Sequence, residues 1–232
     1  MAEQGYSRPD MLTTTAWVAE HWQDANVRIV DCDNRDAYRR AHIPGAITFR
    51  GHHYLKEKEG APYIMGPDQF AETMGALGIG DETLVIAYDG FSSLYATRFW
   101  WALNYYGHSQ VKVLNGGWEK WLAEGRPVTN AIPRPQPATF TARVQDEFIA
   151  RWEYVNDVIG DQNRTILDVR SDEEWTGANA RGTKRGGRIP AAIHLEWLNF
   201  IDNKTKEFKP ATELHALLQK AGVIPEREVI TY

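Results

Sequence analysis

The sequence predicts an α/β protein made of two tandem copies of one unit, each a mostly parallel sheet with helices on both faces. Three observations carry this. Short apolar runs of strand length alternate with amphipathic helical stretches along the chain. The block VRIVDCDNRDAYRRAHIPGAITF, Val27 to Phe49, has a partner in RTILDVRSDEEW…GGRIPAAIHLEW, Arg164 to Trp197. A second block, DQFAETMGALGIGDETLVIAYDG (Asp68 to Gly90), matches TELHALLQKAGVIPEREVITY (Thr212 to Tyr232) in the same order.

Taken in order, the first copy opens on an apolar strand ending in Asp31, then a short charged helix, then Ile43-Pro44 leading into a second extended run. Proline ends the helix and the following glycine permits the turn. Asp68 onward reads as an amphipathic helix stopped at Gly78, followed by the buried strand LVIAY. Next come the loop DGFSS, an aromatic helix (LYATRFWWALNYYG) whose FWW run is expected in the core, the strand VKVLNG and the helix GWEKWLAEG. The second copy repeats the strand ending in Asp168, the turn at Ile189-Pro190, the helix ending at Gly222 and the strand EVITY. Asp168 pairs with Asp31 and Tyr232 with Tyr88. Nothing in copy two matches Asp89 to Pro127, so its unit is incomplete in this chain. Domains are therefore expected at 8–128 and 149–232. Residues 129–148, with the segment PRPQP, are expected to form a semi-rigid linker.

The 232 residues are 43% hydrophobic and 25% charged, as in soluble globular proteins. A net charge of -5 argues against a nucleic-acid or anionic-membrane surface. No apolar run approaches membrane-spanning length and no apolar leader opens the chain, so a cytoplasmic protein is expected. One cysteine, Cys32, precludes an internal disulfide and any CxxC site. It lies against the first strand and is expected to be buried and structural. His52-His53 and His108 lack ligand spacing, so no metal and no cofactor is expected.

AYRRAHIPGAITF (Ala37 to Phe49) and VLNGGWEKWLAEGRPV (Val113 to Val128) resemble the two signatures of rhodanese-type sulfurtransferases. The likeness extends through IVDCD, LVIAYDG and RFWWAL, and the tandem arrangement resembles the thiosulfate and 3-mercaptopyruvate sulfurtransferases. The resemblance implies tandem rhodanese-like domains, the first non-catalytic. In the second, a nucleophilic cysteine is expected directly after Tyr232, at the head of a loop whose N–H groups stabilise thiolate and bound anion. It implies transfer of a sulfane sulfur from a small anionic donor to cyanide or a thiol through a persulfide. The segment HHYLKEKEGAPYIMGPDQF (His52 to Phe70) favours thiosulfate over 3-mercaptopyruvate as donor.

Asp89 stands where the first domain would carry such a cysteine and is expected to cap the following helix. His42, Pro44 and Gly45 are expected to form the fold rather than do chemistry. Arg185 and Arg181, in the Gly-rich loop NARGTKRGGRIP with Lys184 and Arg188, are the expected substrate contacts, because guanidinium forks suit sulfonates and carboxylates. Asn34, at the end of the first strand, is a third candidate. Arg188 and Ala191 depart from the family's His and Gly. Two other classes compete: a non-catalytic binding module and a phosphatase on the same fold. This chain by itself is expected to be inactive, with a separate C-terminal fragment completing its second domain.

Overall fold

A computed structural model describes residues 5–49, 55–56 and 63–232. His52 and His53, and much of the segment that favoured thiosulfate, lie outside the described residues. Two compact units are present: Ser7–Ile149 with Asn203–Glu207, and Ala150–Asp202 with Phe208–Tyr232.

The first unit holds β1 (Leu12–Thr13), α1 (Thr15–His21), β2 (Val27–Asp31), α2 (Arg35–Arg40), α3 (Pro67–Ala76), β3 (Leu84–Tyr88), α4 (Leu94–Tyr105), β4 (Val111–Leu114) and α5 (Gly117–Ala123). Its sheet is parallel with order β1-β4-β3-β2, and a bridge from Val30 to Ile47 extends it past β2. Helix starts follow local chemistry. Thr14 accepts a hydrogen bond from the Trp17 N–H, and Pro67 occupies the first turn of α3. Val18, Ile29, Ile43, Ile86, Tyr88, Leu114 and Trp121 form the core on one face of the sheet. On α4 only Phe99 of the FWW run is fully buried; Trp101 stacks on Tyr105 at 5.3 Å and lies under the Arg98 guanidinium at 4.3 Å.

The second unit holds α6 (Trp152–Asp157), β5 (Arg164–Asp168), α7 (Asp172–Thr176), β6 (Ile193–His194), α8 (Ala211–Ala221) and β7 (Glu228–Thr231). Its parallel sheet has order β6-β5-β7. β6, β5 and β7 correspond to the Ile47 segment, β2 and β3. The Cys32 N–H donates to the Tyr88 carbonyl, and the Val169 N–H donates to the Tyr232 carbonyl. In both units the N–H that follows the strand-ending aspartate thus bonds the carbonyl of the matching tyrosine.

The segment expected as a linker behaves differently. Thr129 pairs with His42, and the Ala138 N–H donates to the Gly75 carbonyl. Asp81 receives bonds from the Thr141 N–H and hydroxyl, and Phe148 accepts from the Trp101 indole at 2.7 Å. Phe140 is buried, and a Cβ on Gly75 would stand 2.6 Å from the Ala138 carbonyl oxygen. Residues 129–148 are a strap layered on the first unit, because extended proline-rich backbone leaves its carbonyls and N–H groups free to bond to a neighbouring surface. Among the described residues no helix is long and apolar enough to cross a membrane.

Candidate active site

Parallel strands deliver their loops to one edge of the sheet, where ligands bind in α/β folds. In the first unit this edge collects Asp31, Asp33, Asp89 and Glu119. The Tyr88 hydroxyl donates to Asp31 at 2.6 Å and accepts from the Ile43 N–H. Asp31 also accepts from the Asp33 N–H, and Asp33 accepts from the Gly90 N–H at 2.9 Å.

Asp89 does more than cap a helix. One carboxylate oxygen accepts the N–H groups of Phe91 and Ser93, and the other accepts those of Tyr95 and Ala96, all at 2.7–2.9 Å. Ser92 and Ser93 adopt positive φ of 56° and 70°, which turns successive N–H groups inward. Gly117 lets the next loop close on this one: its φ is +52°, and a Cβ there would lie 2.4 Å from the Asp89 carbonyl oxygen. The result is a built anion cradle whose occupant is the chain's own carboxylate.

The surroundings are acidic. Burial pushes Asp31 up to about 6, and burial reinforced by Asp31 and Asp89 pushes Asp33 up to about 7. Burial also raises Asp89, against the pull of its four amide donors. Cys32 is completely buried, and burial together with Asp89, Asp31 and Asp33 pushes its thiol well up, which disfavours the thiolate. The His42 ring bonds the Tyr38 and Ala131 carbonyls and stacks on Tyr38 at 3.9 Å.

At the matching edge of the second unit an arginine, Arg170, takes the place that Asp33 holds in the first. Asp168, its side chain fully buried, is gripped by Arg170 through Nε at 3.0 Å and Nη2 at 2.6 Å. Arg170 also donates to the Gly187 carbonyl at 2.9 Å and lies 4.9 Å from the Tyr232 ring centre. Tyr232 accepts from the Ile189 N–H at 3.0 Å, as Tyr88 does from Ile43. Trp175 stacks on His194 at 4.8 Å, with the Arg188 guanidinium 4.4 Å from the Trp175 ring centre. Ala191 takes φ +61°, matching Gly45 at +77° and showing why glycine suits this corner.

The three expected substrate residues are placed separately. Arg181 lies in an exposed turn and ion-pairs with Glu174 at 3.1 Å. Arg185 is exposed in the same loop, its carbonyl accepting from the Thr183 hydroxyl. The Asn34 side-chain oxygen accepts from the Asp36 and Ala37 N–H groups, so it serves as the α2 cap. Arg170 was not among the candidates. Its signal was present in the aligned repeats, where D-x-D (Asp31, Asp33) stands opposite D-x-R (Asp168, Arg170).

Comparison with known proteins agrees with this geometry. The rhodanese-like domain family matches residues 14–124. A sulfur carrier protein, TtuD, of Thermus thermophilus is 31% identical over 98% of this chain and 84% of its own length. The thiosulfate sulfurtransferase of Bos taurus is 31% identical over 91% of this chain and 77% of its own. Among solved structures, SseA of Escherichia coli, a 3-mercaptopyruvate sulfotransferase, superposes with a TM-score of 0.85 at 25% identity, covering 95% of this chain and 87% of that one. With its tandem α/β units, its anion cradle and these relatives, the chain belongs to the rhodanese family of sulfurtransferases.

Proposed function

We propose that this protein moves a sulfane sulfur from thiosulfate to a thiol or cyanide, through a cysteine that directly follows Tyr232 in the intact protein. The observation that carries the reading is the Asp89 cradle. Tyr88 and Tyr232 make matching hydrogen bonds, which supports assigning the residue after Tyr232 the position that Asp89 holds in the first unit. A thiolate in such a cradle attacks the outer sulfur of thiosulfate. The S–S bond breaks and sulfite leaves with the electron pair, giving a persulfide. Cyanide or a thiolate then attacks the persulfide sulfur, and the cysteine thiolate departs. Arg181 and Arg185 are proposed donor contacts because their exposed guanidinium groups suit a divalent anion. The likeness to a 3-mercaptopyruvate sulfotransferase supports that compound as a second donor.

The test is turnover of the full-length protein with each donor, cyanide as acceptor and thiocyanate as readout, beside the 232-residue chain. Activity with thiosulfate in the former and none in the latter is expected. Equal turnover by the 232-residue chain would place the nucleophile elsewhere and overturn the reading.

A further inference from the structure

We infer that one position in each unit, two residues past the strand-ending aspartate, sets the charge at the loop following the neighbouring strand. Arg170 is thereby a positioning residue for anionic sulfur in the second unit, while Asp33 keeps the first unit's cradle hostile to it. This rests on the proposed function for its second half only.

The equivalence of the two positions is structural. The Asp33 N–H bonds Asp31 at 2.9 Å, and the Arg170 N–H bonds Asp168 at 3.0 Å. Each precedes a helix-capping residue, Asn34 in one unit and Ser171 in the other. Each lies beside a tyrosine whose hydroxyl accepts from the isoleucine N–H of an Ile-Pro turn. A side chain at this position reaches the loop: the Asp33 carboxylate accepts the N–H of Gly90, the residue directly after Asp89. Its second oxygen is buried without a partner. Arg170 is held from several sides at the corresponding place, by both oxygens of Asp168, by the Gly187 carbonyl and by the Tyr232 ring. Its own carbonyl meets the His194 ring at 2.9 Å. That clamp fixes a cation beside Tyr232, the residue directly after β7.

The two charges have opposite consequences for a thiol. A cation within about 4–6 Å lowers a thiol's pKa by about 1–3, and an anion raises it comparably. In the first unit the groups facing position 89 are Asp31, Asp33 and Glu119, with the buried thiol of Cys32 behind them. The amide cradle alone does not make an acceptor of anionic sulfur; the residue at the mouth of the neighbouring strand must agree with it.

The rule can be tested inside this chain, without any nucleophile past Tyr232. In a Cys32→Ala, Asp89→Cys background the new thiol sits in the amide cradle. Its alkylation by iodoacetamide, in which thiolate sulfur displaces iodide, is followed against pH. With Asp33 retained the thiol should titrate above ~8.5. Asp33→Asn should lower that value by about 1, and Asp33→Arg by about 2–3. The same titration in all three proteins overturns the proposal. In parallel, the thiosulfate pH profile of the full-length protein is measured for Arg170→Gln and Arg170→Lys. The acidic limb should move up by about 1–2 in the first and return in the second. A fall in rate with the limb unmoved in both variants assigns Arg170 a purely structural role and also overturns the proposal. Should the Asp89→Cys background fail to fold, the Arg170 pair decides; should full-length protein lack sulfur transfer, the Asp33 series still decides.

Discussion

Replacing Asp89 by asparagine removes one charge and almost no volume, so it isolates what the cradle demands. The four N–H groups of Phe91, Ser93, Tyr95 and Ala96 converge on two carboxylate oxygens. Two acceptor oxygens and four donors leave no acceptor for a carboxyl proton, so the geometry selects the anion. An asparagine keeps one oxygen, which satisfies one pair of donors as ordinary neutral bonds. Its NH2 group then faces the other pair. Two buried donors without acceptors cost about 1–3 kcal/mol each, and loss of charge assistance on the remaining pair adds to this. The expected destabilisation is about 3–5 kcal/mol, a large part of the ~5–15 kcal/mol that holds a typical domain. With a urea m-value of about 2 kcal/mol/M, the midpoint of the first unit's transition should fall by about 2 M. Tryptophan fluorescence reports it, since Trp118 and Trp121 belong to that core. A loss below ~1 kcal/mol would mean that position 89 carries a neutral carboxyl, which asparagine mimics, and would refute the anion-cradle reasoning.

Arg170→Met should destabilise the second unit by about 3–5 kcal/mol, because it strands the buried Asp168 carboxylate. Burial opposes ionisation of Asp168, yet its bonds from Arg170 hold the carboxyl below the usual range. The wild type should therefore lose this contribution only as pH falls below about 4 and through the depressed value, which acid unfolding of both proteins would record. Asp33 has the opposite sign. Its folded value of about 7 exceeds the unfolded one, so the folded state holds more protons between about pH 4 and 7, and stability falls as pH rises through that window. Asp33→Asn should flatten this slope in urea midpoints measured from pH 4 to 8; an unchanged slope would assign it to the other raised carboxyls, Asp31, Asp89 and Glu119. Cys32 should react with iodoacetamide at least ~1,000-fold more slowly in native protein than in urea, since its exposure requires opening of the unit. Alkylation in native buffer at the denatured rate would contradict its burial.

Much of this architecture was legible along the chain. The apolar runs at Val27–Asp31, Leu84–Tyr88 and Arg164–Asp168 are strands because they are short, apolar and bounded by polar turns. Gly222 ends α8 with φ 84° for the reason that any left-handed helix end favours glycine. The proline-rich segment was legible as extended but not as a strap, since its bonds to Gly75, Asp81 and Tyr106 join residues far apart in sequence. Asp89 was legible as a capping aspartate, but not as the single acceptor for four amides. That required the left-handed turn at Ser92 and Ser93, which local propensity gives no reason to expect of serine.

The amino-acid sequence alone carried the repeated blocks, the order of strands and helices from Val27 to Ala123, and the pairing of Asp31 with Asp168 and of Tyr88 with Tyr232; β1, α1 and α6 it did not announce. The features it carried are local patterns, written in hydrophobic period and turn residues. Only the tertiary structure decided which charges meet. Asp33 touches Gly90 across 57 residues, and Arg170 comes to lie on Tyr232, because parallel pairing brings the carboxyl ends of β2 with β3, and of β5 with β7, side by side. Strand pairing at 4.7–4.9 Å turns residues distant in sequence into electrostatic neighbours, and no pattern within either strand carries that information.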